Sequence, residues 1–123
     1  MKLQRVQPEG LNVVTAYGDD YVSVNAVRHS TNLIILPSRV IESWTPARFE
    51  SLAIDDFALL ASLEAEVLLL GTGSQLRFPS PELLQLVIQA GRGLEVMDLQ
   101  AACRTYNLLA GEGRSVAAAL LFS

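Results

Sequence analysis

The stretch from Glu66 to Leu84, Glu-Val-Leu-Leu-Leu-Gly-Thr-Gly-Ser-Gln-Leu-Arg-Phe-Pro-Ser-Pro-Glu-Leu-Leu, constrains the fold of this chain more than any other. Glu66–Leu70 is a short apolar run that reads as a buried strand. Gly71-Thr72-Gly73 reads as a turn out of that strand, followed by a loop to Ser80. Ser80-Pro81-Glu82 then carries helix-start chemistry, with Ser at the cap, Pro at the first helical position and Glu in the first turn. A strand followed by a crossover long enough to hold a helix implies a parallel neighbour, reached by a right-handed crossing.

The remainder of the second half repeats that logic. Leu94–Met97 is the next strand. Asp98 caps a helix whose Leu99, Ala102, Cys103, Tyr106 and Leu109 fall on one face, with Gln100, Arg104 and Asn107 opposite. Gly111-Glu112-Gly113 stops that helix, and Ser115–Phe122 is a last strand rich in small residues at Ala117–Ala119. On the helix after Ser80, Glu82, Gln85 and Gln89 share the wet face. Leu83, Leu84, Leu86, Val87 and Ile88 form an apolar stripe wide enough to lie flat on a sheet.

The first half reads differently. Asn12–Tyr17 is rich in β-branched and aromatic residues, Gly18-Asp19-Asp20 is a turn, and Tyr21–Arg28 alternates with Val22, Val24 and Ala26 on one face, so the two predict a hairpin. After the turn at His29–Asn32, Leu33–Leu36 is a continuously apolar strand stopped by Pro37, as suits burial on both faces. Val40–Trp44 is a further short strand candidate, Ala47–Leu52 a loop or fraying turn, and Asp55-Asp56 caps a short helix over Phe57–Leu63. Residues 1–12 form a polar lead, an irregular approach or an edge strand. The expected architecture is one α/β domain over residues 1–123, with N-terminal strands followed by β-α-β-α-β around a mixed central sheet.

Composition narrows function mainly by exclusion. Half of the 123 residues are apolar, 18% are charged, and the net charge is −4. A chain of this length builds a core without disulfide or metal staples. The nine basic residues are scattered and Lys2 is the sole lysine, so no positive face for nucleic acid is expected. No apolar run reaches the roughly 20 residues of a membrane helix. The opening Met1-Lys-Leu-Gln-Arg-Val6 lacks the apolar core of a signal peptide. Cys103 is alone, so no intramolecular disulfide forms and a cytoplasmic setting is expected.

The chemistry-bearing residues are few. Gly71, Thr72, Gly73, Ser74 and Arg77 follow a strand, at the strand end where open α/β sheets bind ligands. The run lacks the Gly-Lys-Ser/Thr ending of a phosphate loop, and Leu76 breaks Gly-x-Gly-x-x-Gly. An anionic-ligand site there competes with glycines needed only for a tight exit from the sheet. Arg48 joins such a site if its loop folds over it. Asp55 and Asp56 diverge by roughly 100° on a helix and suit capping better than acid–base work or metal binding. His29, the sole histidine, lacks a sequence-local partner, and Cys103 reads as a small core hydrophobe. Trp44 is either core or an exposed anchor. Glu112 and Arg114 suit a salt bridge or cap at a corner. No metal, cofactor or catalytic constellation emerges, and the balance leans against an enzyme.

Glu95-Val-Met-Asp-Leu-Gln-Ala-Ala-Cys-Arg-Thr-Tyr-Asn-Leu-Leu109, continued by Gly111–Leu120, resembles the MTH-like family, the domain of unknown function four-nine-eight. Val67–Gly73 is similar to that family's central strand and turn, and Trp44 falls where its members often carry Trp. The family usually has Thr where this chain has Leu99. The resemblance implies a three-layer fold with a mixed sheet, one strand antiparallel to the rest, and a flanking β-hairpin. It implies no activity. Bacterial members have no settled biochemistry, while mitochondrial members act in respiratory complex I assembly. Two functions stay open: a non-catalytic interaction or assembly module with a protein partner, and an anionic-ligand binder or enzyme at Gly71–Arg77. Homodimerisation through an edge strand is open as well.

Overall fold

A computed structural model describes residues 10–122; the polar lead expected before residue 10 lies outside them. The first strands, β1 (Val14–Tyr17), β2 (Val22–Val24) and β3 (Val27–His29), form a three-stranded antiparallel sheet. They are followed by β4 (Leu33–Leu36), β5 (Arg39–Ile41), a 3-10 turn at Phe49–Ser51 and α1 (Ile54–Ser62). The alternating half supplies β6 (Val67–Thr72), α2 (Pro81–Gln89), β7 (Glu95–Met97), α3 (Leu99–Gly111) and β8 (Val116–Leu121).

The main sheet has five strands in the order β5-β4-β8-β6-β7. β8 runs parallel to β6, and β6 to β7, whereas β4 is antiparallel to both β8 and β5. One strand, β4, therefore opposes the other four. The three layers are α1 with α2, then the main sheet, then α3 with the small sheet.

Two cores result. On one face Leu33, Ile35, Leu69, Ala118 and Leu120 meet Ala102, Cys103 and Tyr106 of α3 and Val14, Tyr17, Val22 and Val24 of the small sheet. On the other, Ile34, Leu36, Leu68, Leu70, Ala117, Ala119 and Leu121 meet Phe57, Leu60 and Val87, with Trp44 beside them. The continuous apolar runs of β4 and β8 are thus explained: every residue of both strands is buried, since each face supplies one core.

Four local expectations are corrected. Tyr21–Arg28 is not one strand but β2 and β3 joined at Asn25-Ala26, both at positive φ (51° and 67°). The chain tolerates this without glycine because Asn25 is tied down on all sides. Its N–H donates to Val13 O, its Oδ1 accepts from Val13 N–H, and its Nδ2 donates to Asn12 Oδ1. The Ala26 N–H in turn donates to Thr15 Oγ1. The strand expected at Val40–Trp44 ends at Ile41; Trp44 is core, its Nε1 donating to Asp56 O at 3.3 Å. Helix α1 opens at Ile54, placing Asp55 and Asp56 inside its first turn, where Asp56 accepts the Ala53 N–H at 2.9 Å. At the corner after α3, Arg114 pairs with Glu66 (3.1 Å) and not with Glu112.

Asn107 is the fifth correction. It was expected on the wet face of α3, yet it is buried against β1, where its Oδ1 accepts from Val14 N–H at 2.9 Å and its Nδ2 donates to Val14 O at 2.8 Å. The carboxamide thereby supplies Val14 with the donor and acceptor a neighbouring strand would have supplied. Tyr106 adds a bond from its hydroxyl to Asn12 O at 2.8 Å. Asn107→Ala leaves two buried backbone groups unpaired and is expected to lower unfolding stability by about 2–4 kcal/mol. Urea unfolding measures the loss, and amide exchange of residues 13–17 should accelerate more than that of β6 and β8.

Candidate functional site

The site read from the sequence lies at the carboxyl end of β6, between the start of α3 and the 3-10 turn. Gly71 and Thr72 belong to the strand itself, so the turn begins only at Gly73, at φ 86°, and continues through Ser74. Gly71 has a packing reason to lack a side chain. A Cβ there would come within 3.0 Å of both Ala102 Cβ and Leu120 Cδ2, and 3.3 Å of Leu99 Cα. Gly73 O accepts the Leu99 N–H at 2.8 Å, which fastens the first turn of α3 to the strand end. The remaining cap of α3 is Asp98, whose Oδ1 accepts from Ala101 N–H.

Thr72 is fully buried and its hydroxyl faces the loop, not solvent. Oγ1 donates to Gln75 O at 2.7 Å and accepts the Arg77 N–H at 3.0 Å. Arg77 folds back over the same segment. Its Nη2 donates to Thr72 O at 2.9 Å, its Nη1 pairs with Glu50 Oε1 at 3.1 Å, and its guanidinium lies 4.5 Å from the centre of the Phe49 ring. Its Nε is buried with no hydrogen-bond partner. Ser74 is exposed.

The five residues are therefore adjacent but differently employed. Gly71 admits α3, Gly73 turns the chain, Thr72 and Arg77 knit the loop, and only Ser74 is presented to solvent. The loop before α1 does fold over this strand end, but it sends Phe49 and Glu50; Arg48 points outward beside Glu50. Sequence reasoning passed over Phe49 and Glu50, and an aromatic next to an acid in an irregular segment was the sole trace they left.

Among the described residues, four surface grooves of about 200, 260, 430 and 440 Å³ are lined by residues outside 71–77. Among the described residues no cluster of three or more His, Cys, Asp and Glu side chains could hold a metal ion. His29 sits 3.4 Å from Glu42 through Nδ1, far in sequence from the strand-end loop.

Cys103 is buried against β6 and β8, and burial pushes its thiol up from 9.0 to about 12, with Arg104 pulling slightly down and Asp98 slightly up. Burial also raises the Tyr106 phenol. The folded chain keeps the thiol proton that the unfolded chain releases above pH 9. The thiol's contribution to stability is therefore constant well below pH 9 and falls as pH climbs from 9 toward 12. Urea unfolding from pH 8 to 11.5 should show this decline, with Cys103→Ala deferring its onset to the range where tyrosine titrates. A second test is steric. Gly71→Ala is expected to cost about 1–3 kcal/mol through overpacking, visible as a lower urea midpoint at unchanged slope.

A β-α-β half with its strand end sealed by its own side chains, flanked by a small antiparallel sheet, defines a class of compact α/β domain, not a class of reaction. The chain belongs to the family described as protein of unknown function DUF498/DUF598, whose profile matches residues 14–121. It is similar to the NADH dehydrogenase (ubiquinone) 1 alpha subcomplex assembly factor 3 of Bos taurus, 31% identical over 121 residues, 97% of this chain and 65% of that protein. This chain thus spans less than two thirds of that relative's length. It is similar to a protein of Francisella tularensis named "13 kDa major membrane protein", 27% identical over 99 residues, 80% of each chain. A solved Bordetella pertussis structure described as an Mth938-like domain superposes with a TM-score of 0.76 at 36% identity, covering 98% of this chain and 92% of that one. The MTH-like fold is thereby established. Among the described residues no helix is long and apolar enough to cross a membrane.

Proposed function

We propose that this chain is a non-catalytic interaction module of the assembly-factor type. The observation that carries the reading is the contrast between the two sides of residues 71–88. The polar groups of Thr72 and Arg77 are turned inward on their own loop, whereas Leu76, Phe78 and Ile88 stand 53%, 66% and 59% exposed. A surface that buries its hydroxyl, engages its guanidinium within its own loop and displays large apolar side chains suits a protein partner better than a small polar substrate. The names carried by the mitochondrial relatives support the same direction.

The competing function, an anionic ligand held by Gly71, Thr72, Gly73, Ser74 and Arg77, requires Arg77 to release both Glu50 and Thr72 O. A titration with inorganic phosphate, nucleotides and small carboxylates, followed by amide NMR on wild type and Arg77→Ala, decides between the two. The interaction reading expects no saturable shift in residues 71–77. Saturable shifts there that vanish in Arg77→Ala would overturn it. The reading also places the module in the cytoplasm, in keeping with a lone buried thiol; fractionation of the host separates this from the membrane setting that the Francisella relative's name suggests.

A further inference from the structure

At one edge the main sheet ends at β7, whose sole strand neighbour among the described residues is β6. The backbone groups that β7 turns away from β6 meet no other strand of the described residues, which leaves a short template for one more. Beside that edge lies the 440 Å³ groove, lined by Phe78, Leu84, Ile88, Gly93, Leu94, Glu95 and Val96. Val96 belongs to the face covered by α2, and its neighbour Met97 to the face covered by α3. Alternation along the strand puts Glu95 with Met97. Among the described residues Glu95 is the sole charged one of the groove lining, and it is exposed. Arg92, the nearest cation in sequence, is engaged elsewhere, its guanidinium donating to the carbonyl oxygens of Ala61, Leu63 and Ala65.

These features specify an occupant. Open strand-edge groups call for an extended backbone and not a helix. The apolar groove on the Val96 face calls for an apolar side chain on one side of that backbone, and the exposed Glu95 carboxylate, which pairs with no cation among the described residues, calls for a basic one on the other. A second copy fits less well. If β7 paired antiparallel with itself along its full length, Val96 would sit opposite Val96, which places the two Glu95 carboxylates diagonally on one face where like charges repel. We propose that the β7 edge and the Phe78–Ile88–Val96 groove bind an extended segment of another protein in which apolar and basic residues alternate. This rests on the interaction-module reading and names its surface and the chemistry of its partner.

The probe is a soluble eight-residue peptide of alternating valine and lysine with blocked ends, beside a glutamate-for-lysine control, each titrated into the full chain and followed by amide NMR and hydrogen exchange. The expected result is saturable shifts in residues 93–97 with slowed exchange of β7 amides for the lysine peptide and not for the glutamate one. Phe78→Ser and Ile88→Ser should each weaken binding at least tenfold, and Glu95→Lys by about threefold while admitting the glutamate peptide. Saturable shifts confined to other residues, shifts at the groove without β7 protection, the same response to both peptides, or no response would each overturn the proposal. So would sedimentation showing concentration-dependent dimers with protection of β7.

A photo-crosslinking amino acid at position 78, compared with one at position 108 on the far side of α3, separates this proposal from the broader one in the native host. Crosslinks to the same protein at 108 but not at 78 remove the β7 site and leave the module reading standing. Crosslinks at neither position remove both.

Discussion

Contact between α3 and β6 at Gly71 is the constraint on which the rest of the structure depends. Because that residue has no side chain, Ala102 and the backbone of Leu99 settle against the strand within van der Waals distance. The first turn of the helix is then locked by the bond from Leu99 N–H to Gly73 O. Ala117–Ala119 extend the same economy to β8, where small side chains let layers approach on both faces of a strand buried throughout. With the helix held at that height, Tyr106 and Asn107, two turns further on, reach Asn12 and Val14. A larger residue at position 71 would lift the amino-terminal end of α3 and strain these distant bonds, since a packed helix moves as a rod.

Sheet polarity distributes the consequences. β4 alone runs against the other strands, so the chain enters the sheet beside β8 as the hairpin β4–β5 and later leaves it through β8 itself. The first and last strands of the main sheet in chain order are thus hydrogen-bonded neighbours, and Asn32 ties them further by accepting the Phe122 N–H at 3.1 Å. The α3 face is closed over by the small sheet. The α1–α2 face is not, because α2 lies over the end of the sheet and buries fully only Val87.

How much of this was legible follows from how local each cause is. Strand β4, helix α3 with its Asp98 cap and the Ser80-Pro81 start of α2 are written in contiguous residues, and the parallel pairing follows from crossover length. The turn at Asn25-Ala26 was not legible, because alternation runs straight through it and its support comes from Asn12, Val13 and Thr15. Asn107 was misread for a related reason: a polar residue on a helix is assigned to water unless a backbone edge waits for it, and that edge lies 93 positions away. At the strand-end loop the residue types were read correctly, but whether Thr72 and Arg77 face outward or bind each other depends on Phe49 and Glu50. The stripe expected on α2 does not lie flat on the sheet: only Val87 is fully buried and Ile88 is exposed, because a helix at a sheet's edge has nothing to cover its outer side.

Edges show why the two sheets present themselves so differently to other chains. β1 turns the Val14 N–H and C=O outward, and Asn107 fills both, ending the small sheet on that side without a further strand. β7 has no such plug. It is kept short, three residues, and carries Glu95, two devices that suppress indiscriminate strand pairing. A charge at an edge does not forbid all pairing, however; it disfavours acidic strands and favours basic ones. Had the edge been selected for silence alone, a polar rim beside it would have served, whereas Phe78 and Ile88 maintain an apolar surface there. Closure at β1 by Asn107 and an open, acidic edge at β7 thus give the two sheets different terms for meeting another strand.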